Sequence, residues 1–111
     1  MSKKILVFDD DAFILGYVGK ILTEAGYTVV KAKDLIEAMT FVRTVDAQIV
    51  DIRLTVSLSG WDYLRLLEEC GINLPSLMIT AYEHEEGPAS VLMKPFSKDD
   101  LLEALKDIFT R

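Results

Sequence analysis

Two rhythms alternate along this chain. Short apolar runs rich in β-branched residues occur at Ile5–Phe8, Tyr27–Ala32, Ile49–Val50, Leu77–Thr80 and Val91–Met93. Unbroken runs of this kind suit strands that are covered on both faces. Between them, apolar residues recur with helical spacing. The sets are Ile14, Val18, Ile21, Leu22 and Ala25; Leu35, Ala38, Met39 and Val42; Trp61, Leu64 and Leu67; and Leu101, Leu102, Leu105, Ile108 and Phe109. The boundaries carry their own signals. Asp11 and Asp34 stand where N-caps are needed, and Gly60 opens the third helical stretch. Ser97, with Asp100 three residues on, resembles a capping box with Asp in the Glu place. Gly26 and a helix end near Gly71 mark stops. Strands alternating with helices predict a parallel sheet with helices on both faces. Lys31 and Lys33 suggest that the second strand is an edge.

One link breaks the pattern. Only seven residues, Glu83–Ala89, separate Tyr82 from Ser90. A parallel crossover that contains a helix normally takes at least ~10–12 residues. Length alone favours a hairpin, which would carry Lys94 to the opposite edge of the sheet from Asp51. The expectation is a parallel fifth strand reached by an irregular or one-turn connection.

Composition narrows the class. The 111 residues suit one domain with a single core, and no attached output domain is expected. The net charge of -6 argues against non-specific nucleic-acid binding, which needs a basic face. A single cysteine, Cys70, rules out a disulfide framework and fits a reducing compartment, so a cytoplasmic location is expected. No stretch is apolar enough to span a membrane.

The candidate chemistry sits at strand ends. Asp9 and Asp10 end the first run, Asp51 the third, Thr80 the fourth and Lys94 the fifth. Parallel strands would bring all five to one rim, where open α/β sheets bind ligands. Three carboxylates in one pocket cannot all stay ionised without a compensating cation. Lys94 supplies one positive charge. Hard oxygen ligands that leave room for water suit Mg²⁺ for the remainder. A carboxylate beside Mg²⁺ can attack phosphorus to form an acyl phosphate, with metal and lysine neutralising the phosphoryl oxygens.

ILVFDDD, a strand ending in Asp51, MITA with Thr80, and LMKPF with Lys94 together resemble the receiver domain of two-component response regulators, over nearly the whole chain. The resemblance implies a flavodoxin-like sheet of order 2-1-3-4-5. It implies that Asp51 is the phosphoacceptor. Asp9 and Asp10 would hold Mg²⁺ together with Asp51, Asp10 more directly, and the Arg53 carbonyl would add a ligand. Thr80 and Lys94 would contact the phosphoryl group. The bond before Pro95 would be cis, aiming the lysine inward. The phosphoryl donor would be a sensor histidine kinase or a histidine phosphotransfer protein.

This chain also departs from the family pattern. It lacks the residues for a full fourth helix between the Thr and Lys strands. Val91 stands where the family usually has a switching Tyr or Phe. The loop after Asp51, RLTVSLSG, is about one residue longer than usual and has no proline. Arg53 and Tyr82 occupy positions where the family tunes access of hydrolytic water. Glu83, His84, Glu85 and Glu86 read as a solvated loop, with a place at the site mouth as the alternative for the acids.

The first functional reading is a stand-alone phosphoacceptor that signals to an unknown downstream protein by contact, without nucleic acid or membrane. The second is a phosphorylation-independent scaffold that dimerises through the surface left by the missing helix. The third is a Mg²⁺-dependent phosphohydrolase. It is disfavoured because Arg53 stands where such enzymes commonly place a second acid.

Overall fold

The computed structural model describes residues 2–82 and 85–110. The elements follow the order that the sequence pattern predicts: β1 (Lys4–Phe8), α1 (Ala12–Glu24), β2 (Thr28–Ala32), α2 (Leu35–Phe41) with a 3₁₀ turn (Val42–Thr44), β3 (Ala47–Asp51), α3 (Gly60–Glu69), β4 (Ser76–Thr80), β5 (Ser90–Met93) and α4 (Lys98–Phe109). All strands are parallel, in the order β2-β1-β3-β4-β5, with β2 at one edge as expected.

The unbroken apolar runs exist because alternate residues feed two cores. Ile5 and Val7 of β1 face the layer of α1 and α4, where they meet Val18, Leu22, Leu101 and Leu105. Leu6 and Phe8 face the opposite layer, with Ala38, Tyr63 and Leu67 of α2 and α3. Burying one such side chain contributes roughly 1.5–3 kcal/mol. A polar residue at these strand positions would therefore destabilise one layer or the other. Ala25, placed by spacing on the buried stripe of α1, is instead its exposed C-cap.

The caps form as the sequence suggests. Asp11 accepts from the Phe13 N–H and Asp34 from the Glu37 N–H. Ser97 and Asp100 make a reciprocal capping box, and Ser59 with Asp62 makes a second.

The short β4–β5 link runs parallel after all, with Leu77 beside Ser90 and Thr80 beside Met93. A five-residue strand spans roughly 17 Å, and nine residues of extended chain reach up to about 30 Å. Residues 81–89 can therefore return to the start of the sheet without a helix. Among the described residues of this segment there is no helix. The layer on the α3 side is consequently incomplete. A cavity of about 550 Å³ opens beside α3, lined by Leu64, Leu67, Ile72, Leu74 and Ala89 among others. No helix among the described residues is long and apolar enough to cross a membrane.

Candidate functional site

Asp51 closes β3, and β1 beside it ends one residue before Asp9. The sheet order turns in opposite directions from β1 and β3, so the crevice at their C-terminal ends is a topological switch point. Asp9, Asp10 and Asp51 each direct a carboxylate oxygen there, all within 4.8 Å of one another. Asp9 and Asp51 are buried, whereas Asp10 is exposed.

Lys94 enters from the far side. Its backbone N–H donates to the Thr80 carbonyl at 2.6 Å, continuing the β4–β5 ladder. Its Nζ lies 3.3 Å from Asp9 Oδ2 and 3.7 Å from Asp51 Oδ1. The Lys94–Pro95 peptide bond is cis. Thr80, also buried, accepts from the Tyr82 N–H through Oγ1 at 3.1 Å. That bond uses a lone pair, so the hydroxyl hydrogen remains available for donation.

The electrostatics are those of carboxylates short of cations. Burial pushes the Asp9 carboxyl up to about 6, with the Asp51 charge adding to the rise. The Asp11 N–H bond and Lys94 oppose it. Burial likewise raises Asp51, against the attraction of Lys94. One lysine therefore does not balance the cluster. The donor set is entirely carboxylate oxygen and sits within one ion's reach, which fits a hard divalent cation such as Mg²⁺. Asp9, Asp10 and Asp51 would hold it.

The loop that follows Asp51 is built to stay in place. Arg53 bridges Ser59, and the Gly60 N–H donates to the Ile52 carbonyl at 2.7 Å. Thr55 closes a tight turn through Leu58 without needing a proline. Gly60 is required by space. A Cβ there would stand 2.7 Å from the Asp51 carbonyl oxygen and 3.0 Å from Ile52 Cα. Ile52 and Leu54 anchor the loop in the core.

The mouth of the site holds a network that the sequence did not reveal. The Arg53 guanidinium lies over the Tyr82 ring at 4.4 Å. It also pairs with Glu85 at 3.6 Å. Glu85 accepts from Trp61 Nε1 at 3.4 Å. The solvated-loop reading is thus corrected for Glu85, which is half-buried, and holds for the exposed Glu86. Glu83 and His84 lie outside the described residues. Val91 is half-buried on β5, opposite Met78, and packs against the α3-side core. Gln48 and Tyr63 belong to no sequence motif. Both are fully buried, and the Tyr63 hydroxyl donates to Gln48 Oε1 at 2.8 Å. Glutamine within an apolar strand was the available signal, but its partner lies fifteen residues away on another element.

The response regulator receiver domain model matches residues 5–106. This chain belongs to the response regulator receiver family. The receiver is 35% identical to "Probable transcriptional regulatory protein SilR" of Salmonella typhimurium over 97% of its own length and 51% of that protein. It is 31% identical to the response regulator MprA of Mycobacterium tuberculosis, covering all of this chain and 52% of the relative. It thus spans about half the length of the curated relatives it matches. Among solved structures, the receiver domain of the Francisella response regulator 1452 superposes with a TM-score of 0.85 at 28% identity, covering 99% of this chain and 98% of the other. The chemotaxis response regulator CheY4 of Vibrio cholerae gives 0.86 at 28% identity, with 97% and 99% covered. The family is one of two-component signalling regulators, and its receivers typically bind Mg²⁺ at an acidic cluster of this kind.

Proposed function

We propose that this receiver accepts a phosphoryl group on Asp51 from a phosphohistidine of a sensor histidine kinase or a phosphotransfer protein, and that it passes the signal on by protein contact. A carboxylate oxygen of Asp51 forms a bond to phosphorus as the phosphorus–nitrogen bond of the donor breaks. The imidazole nitrogen leaves with the electron pair. Asp9 and Asp10, with Asp51 and the Arg53 carbonyl, would hold Mg²⁺, which when bound would supply charge neutralisation on the transferring oxygens. Lys94 adds a second positive charge, and Thr80 donates its hydroxyl to the phosphoryl group. The observation that carries this reading is Lys94 Nζ placed between Asp9 and Asp51, at 3.3 and 3.7 Å, in the cluster where the three carboxylates converge.

A protein donor is supported by the surface beside the rim. Phe13 is 74% exposed and stacks on Tyr17, whose hydroxyl donates to the Phe96 carbonyl two residues beyond Lys94. Exposed aromatic groups at a site mouth suit a protein partner. The acidic charge of the domain favours a protein over nucleic acid here. The test is beryllofluoride with millimolar Mg²⁺. Calorimetry is expected to show binding to the wild-type domain and none to Asp51→Asn. Equal binding by both would remove Asp51 from its role.

A second reading is favoured by the cavity beside α3, where the layer over β4 and β5 is incomplete. In this reading the domain is a scaffold that associates with a second copy without phosphorylation. Sedimentation without any phosphoryl donor would then give a dimer.

A further inference from the structure

Glu85 has a fixed place at the rim. Its carboxylate meets the Arg53 guanidinium at 3.6 Å and the Trp61 indole N–H at 3.4 Å. Two residues on, the backbone at Gly87 lies against the same indole; a Cβ there would come within 2.7 Å of the ring. Arg53 lies two residues past Asp51 and its guanidinium covers Tyr82, two residues past Thr80. The Arg53–Glu85 pair therefore spans the ends of the two strands that carry the acceptor and its hydroxyl neighbour.

Among the described residues the charges at this rim are Asp9, Asp10, Asp51 and Glu85 against Lys94 and Arg53. Lys94 is engaged inside the cluster by Asp9 and Asp51. Among the described residues, Arg53, with a side chain 62% exposed, is the rim cation open to an arriving anion, and Glu85 neutralises it.

We propose that Glu85 is a specificity-determining residue, which disfavours small, freely diffusing phosphoryl donors relative to a phosphohistidine presented by a protein. This rests on the reading of Asp51 as phosphoryl acceptor. A small donor reaches the site on its own charge, so the local potential sets its encounter rate. A protein donor brings a docking surface, and the charge at one mouth residue counts for less. With acetyl phosphate, an Asp51 oxygen bonds to phosphorus while the bond from phosphorus to the acetyl oxygen breaks, and acetate leaves with the electron pair. With phosphoramidate, the phosphorus–nitrogen bond breaks and ammonia leaves.

Glu85→Gln tests this, because the amide oxygen can still accept from Trp61. The rate of aspartyl phosphate formation is followed by intact-protein mass spectrometry at millimolar Mg²⁺. Removing one negative charge at the site mouth is expected to raise the rate with the dianionic acetyl phosphate roughly three- to tenfold. Phosphoramidate carries one negative charge fewer at neutral pH, and its gain is expected to be smaller. Both gains are expected to shrink in 1 M salt, as screening requires. A wild-type domain that is labelled, with Glu85→Gln no faster, overturns this proposal alone. Equal gains for both donors also overturn it, since that would mean a wider mouth rather than a changed charge. If neither donor labels the wild-type domain, the phosphoacceptor reading falls with it.

Discussion

Asp9→Asn isolates what the acidic cluster costs the fold. Asp9 is fully buried, faces Asp51, and has its carboxyl raised from 3.8 to about 6, chiefly by burial. A rise of that size corresponds to about 3 kcal/mol working against the ionised form at neutral pH. Asparagine keeps an oxygen to accept from the Asp11 N–H, at 2.9 Å in the parent. The rise already includes the opposing attraction of Lys94, and the buried amide N–H group of asparagine carries its own desolvation cost, so the net stabilisation expected in the metal-free domain is about 1–2 kcal/mol. The pH dependence has a definite sign. The folded carboxyl holds its proton to higher pH than the unfolded one, so the folded state binds more protons between about pH 4 and 6. Asp9 therefore makes the wild-type domain less stable as pH rises through that window, and the loss is complete above it. The advantage of the variant should widen from pH 5 to pH 7.5. Urea unfolding followed by Trp61 fluorescence, with a chelator present, measures both. A variant less stable than wild type at pH 7.5, or a gap that does not widen with pH, would refute the reasoning. Saturating Mg²⁺ should reverse the order, since it stabilises only the form that binds it, by about 2.7 kcal/mol at a hundredfold excess over Kd.

Three further outcomes follow from the same geometry. Mg²⁺ affinity, measured by calorimetry, should fall as pH drops below about 6, because Asp9 must release its proton to bind the metal; an affinity constant between pH 5 and 7 would contradict this. Tyr63→Phe leaves the buried Gln48 carbonyl without its donor and should cost about 1–2 kcal/mol in urea unfolding, whereas a loss under about 0.5 kcal/mol would mean that another donor replaces it. Gly60→Ala sets a methyl 2.7 Å from the Asp51 carbonyl oxygen, so the loop must shift. It should lose about 1–3 kcal/mol and bind Mg²⁺ more weakly, and a variant with unchanged Mg²⁺ affinity would uncouple Gly60 from the site.

The elements and the convergence of the strand-end charges were largely legible in the chain. The continuous runs at Ile5–Phe8 and Leu77–Thr80 predicted doubly covered strands, because alternate residues of each serve two cores. Asp11, Asp34 and Ser97 announced their helices through bonds that reach only two or three residues. The acids at strand ends pointed to one rim once the sheet was taken as parallel. These are local properties, set by spacing and by residue type, and a sequence carries them directly.

What the sequence left open depended on contacts between distant segments. Length alone favoured a hairpin for β5, yet nine extended residues can also cross over, and the fit of Val91 and Leu92 into the two layers goes with the crossover. Glu85 read as one acid in a solvated run. Its role at the mouth exists only because folding brings Arg53 and Trp61 to it from two other segments, with the Arg53 guanidinium held over Tyr82. The Gln48–Tyr63 bond is of the same kind. Composition and periodicity report what a residue does for its own helix or strand. Which charge meets which across the top of the sheet is decided by how the strand ends converge.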